Sequence, residues 1–346
     1  MSEQQGVQTR SVEEKDNGIR LDKWFLHYFP NIKFGHLQKL MRSGQIRVNS
    51  KRVKGSTRIE TGQKIRIPPL DAEAANPVKQ DVKVRHYRLT DEDRVLLQEI
   101  VIYEDDNIIA VNKPVGLPVQ GGTNQKRHLD GILGSYAAEQ KIDRPHLVHR
   151  LDKETSGVFI VAKNVHAARK LGHMFQQRQI QKYYWAACFR TPEHNDGEIT
   201  APLAKHKARH GEYMTIDPEN GKSAHTSYHV VQRLSKRTCW IIFSPLTGRT
   251  HQIRAHASLM GCPIIGDRKY ATPEEQEGFQ DMTQDPDPKL HLHAQQLIIP
   301  NIFENKHSKE VIDITAPLPE HMQATWDRLG FSETHINNTD FFEEND

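Results

Sequence analysis

Apolar positions near the amino terminus follow a helical spacing and then begin to alternate. Leucine and aromatic residues recur every three or four positions over 21–29, which predicts a first helix. The same spacing over 34–41, with Gly44 in the place of a carboxyl-terminal cap, predicts a second helix. Apolar and polar residues then alternate at 46–48 and 64–67, as in short strands joined by turns.

The rest of the chain is richer in strands than in helices. Helical patterns occur over about 130–140, 166–178 and 250–260, and the acidic stretch 271–288 with its Asp-Pro pairs is typical of a loop. Strand patterns occur at five places: 108–112, 158–163, 183–189, 226–232 and 239–243. Several of these strands follow one another without an intervening helix, so we expect an α+β fold with a mixed, mostly antiparallel sheet.

These patterns divide the 346-residue chain into five parts. We expect the following division: a polar, disordered tail over 1–17, a small domain over 18–68, a linker over 69–92, a main domain over 93–330 and an acidic tail over 331–346. The small domain has room for only a marginal hydrophobic core.

Composition excludes several classes of protein. No apolar run approaches the roughly 18 residues that a membrane-spanning helix needs, and the amino terminus lacks the apolar core of a signal peptide. The three cysteines, Cys188, Cys239 and Cys262, form no C-x-x-C pair, which indicates a reducing compartment and no cysteine-built zinc site. We therefore expect a cytoplasmic protein without a membrane partner.

The net charge of +3 hides an uneven distribution. Residues 18–68 contain 12 lysines and arginines and two acids, whereas 271–346 contain four basic residues and 16 acids. A cluster so unbalanced is typical of a nucleic-acid interface, although a solvated surface is the alternative for any run of charge. Seven basic residues on the second predicted helix and the turns around it are the expected contacts: Lys33, Lys39, Arg42, Arg47, Lys51, Arg52 and Lys54.

Three strings within this basic segment resemble the S4 RNA-binding domain. They are 20–24 (Arg-Leu-Asp-Lys-Trp), 38–49 (Gln-Lys-Leu-Met-Arg-Ser-Gly-Gln-Ile-Arg-Val-Asn) and 51–53 (Lys-Arg-Val). The resemblance implies an αL-like S4 fold whose second helix and following loop contact the phosphate backbone of structured RNA. Such contacts position a protein on RNA and carry little sequence information.

The string His149-Arg-Leu-Asp-Lys-Glu-Thr-Ser-Gly157 stands between two apolar runs. It places the carboxylate of Asp152 between Arg150 and Lys153. Taken alone, such a carboxylate could cap a turn beside surface cations. The whole string, however, resembles the signature of the RluA-type pseudouridine synthases, in which the aspartate is catalytic and neither a metal nor an organic cofactor is used.

Further strings resemble the same family and occur in the family's order. They are 112–118 with 120–123, 182–186, 221–226, 246–256, 263–270 and 292–294. The match assigns Tyr184 as the active-site tyrosine and Arg249 as the arginine of the third motif. Trp185 replaces a usual aliphatic residue, and the neighbouring tyrosines Tyr183 and Tyr184 leave open which ring faces the base.

The resemblance implies that uridine becomes pseudouridine. The N1–C1′ bond breaks, the uracil turns, and C5 joins C1′; because a base inside a duplex is out of reach, the nucleotide flips into a pocket. Asp152 would be nucleophile and base, since a carboxylate can trap a developing oxocarbenium carbon. Arg249 would keep Asp152 ionised, and Tyr184 would stack on the uracil and assist proton removal at C5. Arg150 would fill the gap left by the base or hold its phosphate.

The order of the domains resembles the RluC and RluD subgroups. This resemblance implies large-subunit ribosomal RNA as the partner of a monomeric enzyme, with the string at 120–122 closer to the RluC pattern. Two other classes stay open: a binding-only ribosome assembly factor, and a retaining ribosyl hydrolase that would need a second carboxylate such as Glu154. His291 and His293 could bind a metal, but acidic partners at a fixed spacing are absent from the sequence around them, so we expect no metal site.

Overall fold

The computed structural model describes residues 6–70, 87–121, 125–208, 211–301, 303, 310–333 and 336–342. The chain divides into two units, Met1–Arg85 and His86–Asp346. Most of the predicted linker, the first five residues of the predicted amino-terminal tail and the last four of the acidic tail lie outside the described residues. None of the helices in the described ranges has the length and apolar composition that a membrane crossing requires.

The first unit combines two helices with a small sheet. Helix α1 spans Leu21–Tyr28 and α2 spans Phe34–Arg42, as the apolar spacing predicts. Four strands pair antiparallel in the order β1-β4-β2-β3: β1 (Gln8–Ser11), β2 (Arg47–Val48), β3 (Lys51–Arg52) and β4 (Lys64–Ile67). Helices and strands share one core, which includes Leu21, Trp24, Phe25, Leu37, Ile46, Ile59 and Ile65.

The amino-terminal segment differs from the expected disordered tail over 1–17. Gln8–Ser11 forms the edge strand β1, and the residues after it enter a short 3-10 turn. Asp16 in that turn is buried and accepts hydrogen bonds from the indole N–H of Trp24 at 3.1 Å and the hydroxyl of Tyr28 at 2.7 Å. The segment is ordered because it satisfies polar groups of α1 and adds a strand, neither of which its polar composition reveals.

The second unit contains the main sheet and its covering helices. The helices are α3 (Asp91–Ile100), α4 (Leu129–Gln140), α5 (Val165–Gln176), α6 (Gln252–Leu259), α7 (Pro273–Thr283) and α8 (Glu320–Leu329). The strands are β5 (Val101–Glu104), β6 (Ile108–Lys113), β7 (His146–Leu147), β8 (Ser156–Ala162), β9 (Gln181–Phe189), β10 (Asp196–Thr200), β11 (Leu203–Ala208), β12 (Gly211–Ile216), β13 (His225–Leu234), β14 (Thr238–Pro245), β15 (Leu292–Pro300) and β16 (Val311–Thr315). The helices and strands predicted in this part are confirmed, with small shifts at their ends.

Ten of these strands form one sheet. Its main path runs β10-β13-β14-β9-β15-β8-β6-β5, while β16 pairs with β15 and β7 pairs with β8. Strands β8 and β15 run parallel, and every other neighbouring pair of the described sheet is antiparallel. This arrangement confirms the predicted α+β fold. Strands β11 and β12 form a separate hairpin.

Helices cover both faces of this sheet, so its central strands are apolar throughout. In β8, Phe159 and Val161 pack with residues of α3 and α4, whereas Val158 and Ile160 pack with α5. Strand β14 is buried in the same way between α6 on one face and α7 with α8 on the other. The rigid centre of the sheet thereby supports the loops that leave its strands.

The stretch 271–288 is not the loop that its acidic composition predicts. It contains α7, which begins with a capping box: Thr272 and Glu275 each accept a hydrogen bond from the other's backbone N–H. The string Thr-Pro-Glu-Glu at the start of this helix is a capping signal. The Asp-Pro pairs that follow it indicate a loop instead.

The predicted acidic tail over 331–346 also differs from the structure. Phe331 is buried, and Asn338 accepts a hydrogen bond at 2.7 Å from the indole N–H of Trp185 on β9. The segment is held because its apolar residues, among them Phe331, Phe341 and Phe342, complete the apolar layer beside α8.

Candidate active site

A cavity of about 440 Å³ opens where four segments of the second unit meet. It is lined by the loop between β7 and β8, by the carboxyl end of α5, by β9, and by the segment that leads from β14 into α6. These segments converge because β9 lies between β14 and β15 in the sheet, and β15 pairs with β8. The volume lies within the range of roughly 300–1,000 Å³ that small-ligand sites occupy. The cavity brings together all four predicted catalytic residues: Arg150, Asp152, Tyr184 and Arg249.

Asp152 lies on the cavity wall with 19% of its side chain exposed. Its Oδ1 is 3.5 Å from a guanidinium nitrogen of Arg150. Its Oδ2 accepts a hydrogen bond at 3.3 Å from the backbone N–H of His251. A carboxylate that is oriented by a backbone donor and reached from an open cavity can act as a nucleophile on a carbon bound there.

The backbone donor comes from an unusual residue. His251 caps the amino end of α6 in the left-handed conformation, with φ +50° and ψ +25°. Its ring Nδ1 lies 3.0 Å from the hydroxyl of Tyr270. Burial, partly opposed by the charge of Asp152, lowers the pKa of His251 to about 4, so the imidazole is neutral near neutral pH. Sequence reasoning placed His251 in a motif but missed this role, because a left-handed residue other than glycine leaves no signal in the sequence.

Strand β9 decides which of the two adjacent tyrosines faces Asp152. Side chains alternate along a strand, so Tyr183 and Tyr184 point to opposite faces of the sheet. Tyr184 lines the cavity, whereas Tyr183 is buried on the other face against the ring of Phe342, with centroids 5.5 Å apart. Burial, reinforced by the negative charge of Asp152, raises the pKa of Tyr184, so its hydroxyl is protonated at neutral pH.

Arg249 lies in the cavity wall, but its side chain does not form the predicted pair with Asp152. Its Nε donates to the carbonyl oxygen of Ser223 at 3.0 Å, and its backbone N–H donates to Oε1 of Gln252 at 3.0 Å. Among the described ion pairs, the arginine beside Asp152 is Arg150, whose side chain is 63% exposed. The structure therefore differs from the prediction that Arg249 pairs with Asp152, because the order of motifs does not determine where a loop guanidinium points.

A buried lysine fixes the loop that carries Asp152. The amine of Lys113, at the end of β6, donates to the carbonyl oxygens of Pro114 at 2.9 Å, Leu117 at 3.1 Å and Lys153 at 3.2 Å. Burial lowers the pKa of Lys113 to about 7. Because Lys153 follows Asp152 directly, these bonds tie the loop that carries Asp152 to the segment after β6. Lys113 ends β6 directly after Asn112, so its burial has no clear signal in the pattern of apolar positions.

A second cavity of about 410 Å³ adjoins the first and shares Arg150 and His251 with it. Its lining adds Lys205 and Tyr213 from the β11–β12 hairpin, together with Lys269. Arg150 therefore stands between two cavities, one with the carboxylate and one lined by further cations.

The seven basic residues expected to contact RNA lie on the first unit. Six are exposed and Arg47 is half-buried. Arg47 donates to the carbonyl oxygens of Gly44 at 3.1 Å and Ser50 at 3.2 Å, which turns it back onto its own loop. The other six leave their charged ends at the surface, where phosphate groups can reach them.

The two histidines considered as metal ligands, His291 and His293, form hydrogen bonds within the protein. His291 has its Nδ1 2.8 Å from the carbonyl oxygen of Lys289 and its Nε2 2.8 Å from the hydroxyl of Thr325. His293 has its Nδ1 2.9 Å from the hydroxyl of Ser156 and its Nε2 3.1 Å from a backbone carbonyl. Both nitrogens of each ring are occupied, and the described residues contain no group of three or more side chains suited to a metal ion.

Comparison with known proteins identifies the family of this chain. The profile of the RNA pseudouridylate synthase family matches residues 107–259, which contain Asp152, Tyr184 and Arg249. Ribosomal large subunit pseudouridine synthase C of Rickettsia conorii is 40% identical over 74% of this chain and 83% of its own length. The protein of the same name from Vibrio cholerae is 31% identical over 92% of this chain and 95% of its own.

A solved structure shows the same fold. Human RNA Pseudouridylate Synthase Domain Containing 4 is 28% identical, with a TM-score of 0.58, and the match covers 69% of this chain and 97% of that one. The fold, the family profile and the length over which the relatives match agree. The chain belongs to the RluA-type family of RNA pseudouridine synthases.

Proposed function

We propose that this chain converts uridine to pseudouridine in large-subunit ribosomal RNA. The observation that carries the proposal is the position of Asp152 on the wall of a ligand-sized cavity, with Tyr184 and Arg150 beside it. The family supports the reaction, and the relatives named ribosomal large subunit pseudouridine synthase C support the substrate and the RluC-like subgroup.

The target uridine must leave its stack before it can reach Asp152. A flipped nucleotide leaves a gap in the RNA, and its extrusion costs a few kcal/mol. Arg150 is exposed at the border of the two cavities, where it can fill that gap or bind a phosphate. Lys205 and Lys269 add positive charge along the same path and would attract the neighbouring backbone.

The reaction then exchanges one bond for another. Asp152 attacks C1′ as the N1–C1′ bond breaks, and the electron pair of that bond leaves with the uracil. The uracil turns, its C5 attacks C1′, and the carboxylate is released. The released Asp152 carboxylate takes up the proton from C5, and N1 receives a proton from solvent, so the RNA keeps its mass.

Three neighbours assist these steps. The backbone N–H of His251 orients the Asp152 carboxylate and stabilises it when it is released. Tyr184 stacks on the uracil, and its protonated hydroxyl relays the C5 proton by passing its own proton to the released Asp152 carboxylate as it accepts the one from C5. Arg249 supplies a positive charge on the cavity wall for the anionic uracil that forms when N1–C1′ breaks.

The hydrolase alternative needs a second carboxylate close to the first. Among the described residues that line the cavity, Asp152 is the only acid. Glu154 is half exposed and lies 3.6 Å from the amine of Lys153, outside the cavity lining. This arrangement favours the isomerase.

We also propose that the first unit is an S4-type RNA-binding domain over 18–68, attached by a linker over 69–92 to a catalytic domain over 93–330. Its exposed basic residues would hold the phosphate backbone of the RNA. The enzyme would act as a monomer in the cytoplasm, without a metal or organic cofactor.

Mapping of pseudouridine in ribosomal RNA tests this proposal. RNA from cells that lack the protein should lose pseudouridine at one or more large-subunit positions. A gene for the wild type should restore them, whereas a gene for Asp152→Asn should not. An unchanged map would contradict the proposal, and abasic sites at the same positions would indicate a hydrolase instead.

A further inference from the structure

Lys182 places an unpartnered cation on the wall of the catalytic cavity. It lies two residues before Tyr184 on β9, so both side chains face the same side of the sheet and both line the cavity. The described residues provide its amine with neither a hydrogen-bonding nor an ion-pair partner. Burial, together with the nearby charge of Arg178, lowers the pKa of Lys182 to about 8. The side chain is half-buried, so its charge has lost part of its hydration without gaining a partner in the described residues, and a bound anion would supply one.

Arg178 also lines the cavity, and its backbone conformation is unfavourable for an arginine. Helix α5 ends in a Schellman motif: the N–H of Gln179 donates to the carbonyl of Met174 at 3.0 Å, and the N–H of Arg178 donates to that of Phe175 at 3.3 Å. This places Arg178 at the left-handed position, with φ +59°. Helix α2 ends in the same motif, and its left-handed position is occupied by Gly44. Glycine adopts this conformation without strain.

The other cations around the cavity have partners. Arg254 forms a buried pair with Asp267, and Arg249 donates to a backbone carbonyl. Arg150 stands beside Asp152, the single acid in the described lining. Lys182 and Arg178 thus form a pair of like charges to which the described residues supply no carboxylate.

We propose that Lys182 and Arg178 form a phosphate site, which holds the phosphodiester of the uridine that has flipped into the cavity. A monoanion bound between two like charges relieves their repulsion and restores a partner to each. Two residues along a strand span roughly 6.6–6.8 Å, so a nucleotide whose base stacks on Tyr184 has its phosphate near Lys182. This inference rests on the proposed function and names the part of the substrate that these residues recognise.

Two substitutions separate phosphate binding from a structural role. Lys182→Gln removes the charge and keeps a polar chain. Arg178→Gly removes the charge and gives the left-handed position its preferred residue. Arg169→Ala is the matched control, because Arg169 is an exposed cation on α5 that does not line the cavity. The probe is a transcript of large-subunit ribosomal RNA carrying uridine tritiated at C5, used in single-turnover tritium release and in filter binding.

In each variant, the enzyme concentration needed for the half-maximal rate of tritium release should increase by about tenfold. The limiting rate at saturating enzyme should change less. In filter binding, each should reduce the slope of log affinity against log salt by about 0.7–0.9. Arg178→Gly should keep or raise the midpoint of thermal unfolding while it weakens binding, and Arg169→Ala should match the wild type in every assay.

Wild-type affinity and salt slope in both variants would overturn the phosphate site. A fall in the thermal midpoint of Arg178→Gly with unchanged RNA binding would do the same, because it would assign Arg178 to the fold. If the wild type releases no tritium, the proposed function fails; filter binding needs no turnover and still decides between a phosphate site and a structural pair.

Discussion

His251 shows how a single backbone conformation can orient the carboxylate to which we assign the reaction. Its left-handed φ turns an N–H toward Asp152, and an L-amino acid adopts this conformation at a cost of order 1 kcal/mol or more. The surrounding contacts compensate for this cost, among them the hydrogen bond between the His251 ring and Tyr270. The strain is therefore located where the chemistry needs an oriented donor.

Two substitutions at His251 test this argument. Both His251→Gly and His251→Ala remove the ring and keep the N–H, but glycine tolerates a positive φ. His251→Gly should be the more stable of the two, by about 1 kcal/mol in urea unfolding, and should keep more activity. An alanine variant at least as stable as the glycine variant would show that the conformation is not strained.

The two adjacent tyrosines provide a matched pair. Tyr184→Phe keeps the ring on the cavity wall but loses the hydroxyl that we assign to proton transfer, so the limiting rate should fall about 10²-fold. Tyr183→Phe changes the opposite face of β9 and should remain within twofold of the wild-type rate. Single-turnover tritium release measures both, and equal rates for the two variants would remove the role of the Tyr184 hydroxyl.

At this scale the sequence predicted which residues meet but not how they are arranged. The structure brings Asp152, Tyr184 and Arg249 together in one cavity, and each belongs to a distinctive string of the sequence. The partner of Asp152 was not predictable, since the torsions of two loops decide whether Arg150 or Arg249 approaches it. His251 escaped notice for the same reason: its contribution comes from a backbone conformation rather than a side chain.

Strand β15 and the residue before it illustrate what an element can contribute to stability. His291 and His293 are buried there with both ring nitrogens hydrogen-bonded. Burial lowers the pKa of His291 to about 3 and that of His293 to about 4. An unfolded chain binds these protons below its ordinary histidine pKa of about 6.5, and the folded chain does not. Stability should therefore decrease as pH falls from about 6.5 toward 4.

Each buried histidine adds up to about 1.4 kcal/mol per pH unit to that dependence. His293→Gln should therefore have a shallower pH dependence of its unfolding free energy between pH 6 and 4. The control is His166→Gln, which changes an exposed histidine on α5. Urea unfolding at several pH values measures the slopes, and a wild-type slope in His293→Gln would contradict the assignment.

Elements with strong periodicity were predicted well, and elements formed by tertiary contact were not. Helices α1, α4 and α5 and strands β8 and β14 follow from apolar spacing alone. Strand β1 exists because β4 offers it an edge, and α7 because a capping box outweighs an acidic composition. Neither cause is visible in hydrophobic periodicity.

For the whole molecule, the uneven charge predicts a division of labour. Residues 18–68 of the first unit contain 12 basic residues and only two acids. We therefore expect this unit to supply salt-dependent affinity for RNA without setting the rate of the reaction. The count of charged residues is enough to predict that this unit binds RNA. Whether each basic residue is exposed or half-buried depends on how the unit folds.

A charge-reversal pair tests that division. Lys39→Glu with Arg42→Glu should weaken binding of ribosomal RNA at least tenfold and flatten its salt dependence, while the fold is kept because both side chains are exposed. The control has the same change of charge: Lys23→Glu with Lys64→Glu alters exposed residues of this unit that were not predicted to contact RNA. Equal losses in the two double variants would point to net charge rather than to a defined surface.

The most direct test of the account is tritium release by purified Asp152→Asn from large-subunit ribosomal RNA labelled at C5 of uridine. An amide cannot act as the nucleophile, so this variant should unfold at the wild-type temperature, bind the RNA and release no tritium above background. Release at a rate near that of the wild type would contradict the central claim that the Asp152 carboxylate carries the reaction.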